Sequence, residues 1–307
     1  MKKIILSALI VLFVLSFAFV SVSCSKKTTK SEPLKIGVPD DATNQARAIK
    51  LLETAGLITV DPAVGFSPEL KDVTSYIYNI EIVPTQANTL TSTLNDFGAA
   101  TINGTYATSY GLVPSKDALI IEKQDESGNN PYVNILVARS ADKDNPVYQE
   151  IVKAYNSEVF AKYLLAKYKE AYYPSVTYTD EGKFSADTIV DFIDNYKSDK
   201  AGKTVVKIGV CGSANDYLNA VQYQLDQNGA NIYIEAVVFD AYNLPNEALN
   251  SGDIDLNAFQ HKAYLNKEIA ANGYKIEPIC DTLIAPLSLY SKKASNLDQL
   301  KELAGKN

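Results

Sequence analysis

The sequence has one histidine, three cysteines and, among 29 basic residues, only two arginines, Arg47 and Arg139. One histidine and three cysteines leave little room for a metal centre, whose ligands come from clustered His, Cys, Asp and Glu. No Gly-x-Ser-x-Gly, His-Glu-x-x-His or glycine-rich phosphate loop occurs, so the common hydrolase and nucleotide-binding signatures are missing. With a lone histidine and no matched nucleophile, neither an enzyme nor a cofactor is expected. The formal net charge of −7 argues against nucleic acid, a partner that needs clustered Lys and Arg. Scarcity makes each arginine informative, because only Arg offers a rigid two-pronged fork for a carboxylate.

What is present is a globular composition: 307 residues, 46% hydrophobic and 21% charged. At about 100–200 residues per domain, that length predicts two domains. The chain opens on an address. Met-Lys-Lys precedes an apolar run from Ile4 to Val20 and then Ser21-Val22-Ser23-Cys24, the pattern of a secretory signal with a small-residue cut site. The run is slightly short for a membrane-spanning helix, which needs about 20 apolar residues. Small residues ahead of a cysteine resemble a bacterial lipobox. Residues 1–23 are therefore read as a lipoprotein signal peptide, Cys24 as the lipidated residue and residues 24–33 as a tether. The expected location is the extracytoplasmic side of the cell membrane, held by lipid. Cys211 and Cys280 either pair after export or stay as buried thiols.

The globular part starts the same way twice. Leu34-Lys35-Ile36-Gly37-Val38 is an apolar strand, followed by a turn-rich loop, Pro39 to Asn44, and a helical pattern through Glu53. Val206-Lys207-Ile208-Gly209-Val210 repeats the strand, Cys211 to Asp216 the loop and Tyr217 to Gln227 the helix. Further strands are predicted at Ile80–Val83, Ala99–Ile102, Val133–Ala138 and Ile232–Phe239, and a long helix at about 145–171. Strands alternating with helices predict an α/β fold with parallel sheets, and two such starts predict two similar lobes. Exported lobes around a cleft suggest a solute trap.

The segment Phe239-Asp240-Ala241-Tyr242-Asn243-Leu244-Pro245-Asn246-Glu247-Ala248-Leu249 precedes Gly252-Asp253-Ile254-Asp255-Leu256-Asn257-Ala258-Phe259-Gln260-His261-Lys262-Ala263-Tyr264-Leu265. Together they resemble the signature of methionine-binding lipoproteins of the NlpA/MetQ type. Pro39-Asp40-Asp41-Ala42-Thr43-Asn44-Gln45-Ala46-Arg47, Ala100-Thr101-Ile102-Asn103-Gly104-Thr105-Tyr106-Ala107, Pro131-Tyr132-Val133-Asn134 and Ala285-Pro286-Leu287-Ser288-Leu289-Tyr290-Ser291 match further family segments. The resemblance covers nearly all of 34–176 and 205–304, but in exchanged order. It implies a two-lobe periplasmic-binding-protein-like fold (type II), circularly permuted, with 34–125 as one lobe, 126–176 as hinge and start of the second, 177–204 as a linker joining the family's usual ends, and 205–307 as the remainder of the second lobe.

The resemblance also implies the site. Arg47 would clamp a ligand carboxylate, Asn103 and Asn134 would serve carboxylate and ammonium, and Tyr242, Phe259, His261 and Tyr264 would line a side-chain pocket. The implied ligand is methionine, delivered to the permease and ATPase of an ABC importer. Ala258, Ala263 and Gln45-Ala46 depart from the family pattern, which widens the expectation to another small apolar amino acid or a Gly-Met-type dipeptide. A surface lipoprotein or adhesin that has lost binding is the remaining alternative. Permutation of this kind leaves one chain crossing between lobes, near Ser127-Gly128-Asn129-Asn130, and hence a loose open state or a swapped dimer.

Overall fold

Two five-stranded sheets of the same design organise the molecule. The structure, a computed structural model, describes residues 32–65, 67–123 and 130–307. The expected signal peptide, Cys24 and Ser127–Asn129 lie outside the described residues. In the first sheet β1 (Leu34–Pro39) lies between β4 (Ile80–Thr85) and β5 (Ala99–Ile102), and the order continues through β14 (Ser288–Tyr290) to β6 (Ala118–Ile121). In the second, β9 (Thr204–Cys211) lies between β10 (Ile232–Phe239) and β11 (Leu256–Asn257), and the order continues through β7 (Ile135–Arg139) to β12 (Ile276–Asp281). The two Lys-Ile-Gly-Val strands occupy equivalent positions. Each pairs in parallel on both sides, with registers such as Ile36↔Ile82 and Ile208↔Ala236. Between β1 and β4 come the Ala42–Thr54 helix and the antiparallel pair β2 (Ile58–Val60) and β3 (Val73–Tyr76), and β13 (Leu283–Ile284) pairs with β8 (Tyr173–Pro174).

The fourth strand of each sheet is antiparallel and comes from the far half of the chain. β14 pairs with β5 and β6, and β7 pairs with β11 and β12. This exchange corrects two expectations. Residues 205–307 do not all belong to the second lobe: Leu287, Leu289 and Leu300 are fully buried in the core of the first, against Ile36, Ile49 and Leu52. The Leu297–Ala304 helix and β14 bury their leucines among first-lobe residues, and that burial holds them here. The chain therefore crosses between lobes twice, after Glu122 and again at Ala285–Leu287, and the single-crossing basis for a loose open state falls away.

The expected long helix at 145–171 is two helices, Pro146–Tyr155 and Glu158–Tyr168. Ser157 caps the second by accepting from the Phe160 N–H, which competes with continuation of the first. The expected linker, 177–204, is docked on the second lobe. Its helix, Ile189–Asp194, buries Ile189 and Ile193 in the core of the second lobe, while Asp194 meets Lys167 and Tyr163 and Lys203 meets Asp226. Among the described residues no helix is long and apolar enough to cross a membrane.

The docked strap generates a test. Ile193→Ala should cost about 2–5 kcal/mol in denaturant unfolding, as for other large-to-small core changes. An unchanged midpoint would mean that 177–203 hangs free of the lobe.

Candidate functional site

The site lies where the parallel strands of both sheets end, the place where open α/β sheets collect ligands. β1 runs into the loop Asp40-Asp41, β5 into Asn103, β9 into Gly212 and β11 into Ala258–His261. Asp41 caps the Ala42–Thr54 helix by accepting from the Asn44 N–H. Asn44 and Arg47 sit one turn apart on that helix and both are buried, at 2% and 4% exposure.

Hydrogen-bond polarity spreads inward from Asp41. A carboxylate only accepts, so the Asn44 amide turns its NH2 to Asp41, at 3.0 and 3.1 Å. The Asn44 oxygen then faces the cleft, where it accepts from Arg47 Nη1 at 3.0 Å, from Asn103 Nδ2 at 2.9 Å and from His261 Nε2 at 3.3 Å. His261 is oriented from its other side, because its Nδ1 accepts from the Tyr264 N–H and caps the Lys262–Asn272 helix. Both ring nitrogens are thus engaged by protein. Asn103, having turned its NH2 to Asn44, presents its oxygen to the cleft, and that buried atom has no partner among the described residues. Leaving such an acceptor unmet costs about 1–3 kcal/mol.

Arg47 is where the geometry departs most from expectation. Its two-pronged edge is already taken: Nε and Nη2 donate to the Glu122 carboxylate at 3.0 and 2.5 Å, and Nη2 also to the Ala285 carbonyl at 3.4 Å. Burial works against the guanidinium charge, but Glu122 outweighs it and holds the Arg47 pKa above its ordinary value. A ligand carboxylate cannot take that edge while Glu122 stays; one Nη1 hydrogen remains without an acceptor among the described residues. The Arg47 guanidinium carbon lies over the Tyr132 ring, 4.6 Å from the ring centroid.

All seven residues expected at the site line one pocket: Arg47, Asn103, Asn134, Tyr242, Phe259, His261 and Tyr264. Tyr242, Phe259 and Tyr264 form a triangle of rings with centroids 5.9–6.1 Å apart. Asn134 lines the wall, and its backbone, just ahead of β7, bonds to Leu283 and Thr282. Sequence reasoning missed Asn44, Glu122 and Gln260. The first lies one helical turn before Arg47, a spacing that pointed to a shared face. Gln260, Asn246 and Asn257 form a buried amide cluster, which sets the turn carrying Phe259 and His261. Arg139, the other arginine, binds Asp142 and the carbonyls of Leu249 and Ile254 and has no part in the pocket.

The lobes are closed on this site. The Tyr106 hydroxyl donates to the Asp240 carbonyl, and Ser109 Oγ accepts from the N–H groups of Ser213 and Ala214. Gly212 permits that approach: its φ is +69°, and a Cβ there would stand 2.5 Å from Ser109 Oγ. The cavity left inside is about 20 Å3, room for one water-sized group. A cavity of about 230 Å3 lies beyond Tyr242, lined by Asp40, Asp41, Gln86 and Asn88. Cys211 and Cys280 are unpaired, and burial pushes the Cys280 thiol up to about 12. Among the described residues no group of three or more His, Cys, Asp and Glu could hold a metal ion.

Burial, and then Arg47, hold His261 neutral, well below its usual 6.5. The unfolded chain takes up that proton below about pH 6.5 while the native protein does not, so His261 contributes a loss of stability as pH falls, up to about 1.4 kcal/mol per pH unit. Because the chain has a single histidine, His261→Asn should flatten the fall in stability between pH 7 and pH 5 in denaturant titrations. Parallel curves for the two proteins would contradict the buried neutral imidazole.

Comparison with known proteins adds the following. The model of the family described as NlpA lipoprotein matches residues 3–176 and 206–305. Outer membrane lipoprotein 2 of Mannheimia haemolytica is 40% identical over 139 residues, 44% of this chain and 49% of that protein. The D-methionine-binding lipoprotein MetQ of Yersinia pestis is 36% identical over 149 residues, 47% of this chain and 54% of that protein. The chain spans about half the length of the curated relatives it matches. Among solved structures, a nutrient binding protein from Burkholderia cenocepacia bound to methionine is 32% identical, covers 45% of this chain and 57% of its own, and superposes with a TM-score of 0.41.

Proposed function

The chain belongs to the NlpA lipoprotein family, and from that premise we propose that it captures methionine, or a close small apolar amino acid, for an ABC importer. It binds and releases; it catalyses nothing. Lipid on Cys24 holds it on the extracytoplasmic face of the membrane, with residues 24–33 as the tether. The observation that carries the reading is the unmet oxygen of Asn103, buried in the pocket beside the spare Nη1 hydrogen of Arg47. An α-amino acid meets both at once, its ammonium donating to Asn103 and its carboxylate accepting from Arg47. The ring triangle suits a thioether, whose sulfur gains about 0.3–1.5 kcal/mol per aromatic contact. Relatives named for D-methionine binding support the choice of ligand. Entry requires the lobes to part, breaking the Ser109 and Tyr106 contacts, with both crossings as the hinge. The larger cavity beyond Tyr242 supports a second reading, a Gly-Met-type dipeptide whose extra residue lies there.

Mass spectrometry of small molecules released from the purified, denatured protein should recover methionine. Arg47→Ala should lower methionine affinity by at least about 100-fold, as for other lost charge-assisted contacts in buried sites. An empty protein with no thermal shift across an amino acid panel would instead favour a surface lipoprotein that has lost binding.

We also read the chain as a circular permutant. The family matches in two blocks flanking 177–205, and the curated lipoproteins of Mannheimia haemolytica and Yersinia pestis each align over about half their length. Asn79 supports the reading: its carbonyl accepts from the Leu34 N–H and its N–H donates to the Gly305 carbonyl, which puts the last helix beside the first strand. A chain with 305 joined to 34 by a short loop, and opened within 177–203, should fold and bind with unchanged affinity. Failure to fold would mean that the present order is required.

A further inference from the structure

Glu122 is the one charged residue at the site that no sequence signal marked, and it sits where the chain leaves the first lobe. Its carboxylate accepts from Arg47 Nε, Arg47 Nη2 and the Leu287 N–H, the last at 3.0 Å. Its own N–H donates to the Leu287 carbonyl at 2.9 Å. The side chains of Arg47 and Glu122 are 3% and 18% exposed. Both crossings and the arginine thus converge on one carboxylate. Displacing it breaks three charge-assisted bonds, two of them to the guanidinium, so a ligand carboxylate has little to gain by doing so.

The consequence is a charge rule. Arg47 and Glu122 cancel, and the one further carboxylate of the network, Asp41, lies behind Asn44 at the N-terminus of its own helix, whose dipole offsets it. His261 is held neutral by burial and by Arg47, and burial keeps the Tyr242 and Tyr264 phenols protonated. An ion left uncompensated in such a site is strongly disfavoured. Resting on the amino-acid reading above, we propose that Glu122 is a positioning and specificity-determining residue: by neutralising Arg47 and filling its two-pronged edge, it makes the pocket select ligands that carry a carboxylate and an ammonium together. The ligand carboxylate then docks on the remaining Nη1 hydrogen and not in the fork. Without Glu122 the same pocket is a cation site open to plain monocarboxylates.

The test compares three probes by calorimetric titration on the mature protein: L-methionine, 4-(methylthio)butanoate, which lacks the ammonium, and methioninol, which lacks the carboxylate. The native protein should prefer methionine over either analogue by at least about 100-fold, a loss typical of unpairing a buried charge. In Glu122→Gln the preference for methionine over 4-(methylthio)butanoate should shrink by about tenfold or more, while methioninol gains nothing; Glu122→Asp should restore part of the preference. Equal weakening of all three probes in Glu122→Gln would overturn the proposal and leave Glu122 a purely structural tie. Should that variant not fold, the native preferences decide, and a native protein that binds 4-(methylthio)butanoate as tightly as methionine overturns it. A native protein that binds none of the three, nor any other amino acid, removes the reading of the pocket itself, an outcome distinct from unchanged preference.

Discussion

The geometry of the pocket depends on one carbonyl oxygen, that of the Asn44 side chain. Three donors from three separate parts of the chain meet on it: Arg47 from its own helix, Asn103 from the end of β5 and His261 from the second lobe. Its direction is not free. Asp41, an acceptor that also caps the helix, takes the Asn44 NH2 and forces the oxygen inward. From there each neighbour has one consistent orientation, and the last of them, Asn103, is left with an oxygen facing the cavity. A capping residue at the start of one helix thereby sets which atoms the pocket offers.

The lobes carry this arrangement through their strand exchange. Each sheet borrows its fourth strand from the other half of the chain, so two crossings, not one, join the lobes. Glu122 and Leu287, one from each crossing, are bonded to each other, and Glu122 is bonded in turn to Arg47. The hinge and the charged end of the pocket are consequently the same set of atoms. Elsewhere the Ser109 hydroxyl closes the cleft by accepting from the Ser213 and Ala214 N–H groups, an approach that Gly212, at φ +69° and without a Cβ, leaves room for. Closure and charge balance are features of one compact unit, Pro33–Asn307.

Much of this was legible in the sequence. Repetition of Lys-Ile-Gly-Val marked the two sheets, because a buried parallel strand needs a continuous apolar run and the following loop needs caps and turn residues. The aromatic and amide residues of the pocket were legible through long motifs. The strand exchange was not, since β14 spans only Ser288–Tyr290 and three apolar-flanked residues do not say which sheet they join. Glu122 was invisible for a similar reason: it lies 75 residues from Arg47, and an acid after an apolar strand reads as an exposed end. The amides of Asn246, Asn257 and Gln260 satisfy one another inside the fold, a pairing that no local pattern announces. Local pattern reports what a residue is; pairing across the fold decides what it faces.

The central claim is that a fixed Glu122–Arg47 pair and an unmet Asn103 oxygen together receive an amino acid. A crystal structure grown with L-methionine tests it most directly. The account predicts the ligand ammonium within hydrogen-bond distance of Asn103 Oδ1, the carboxylate on Arg47 Nη1, and Glu122 still paired with Nε and Nη2. A ligand carboxylate seated in the arginine fork with Glu122 swung away, or methionine bound elsewhere, would contradict it.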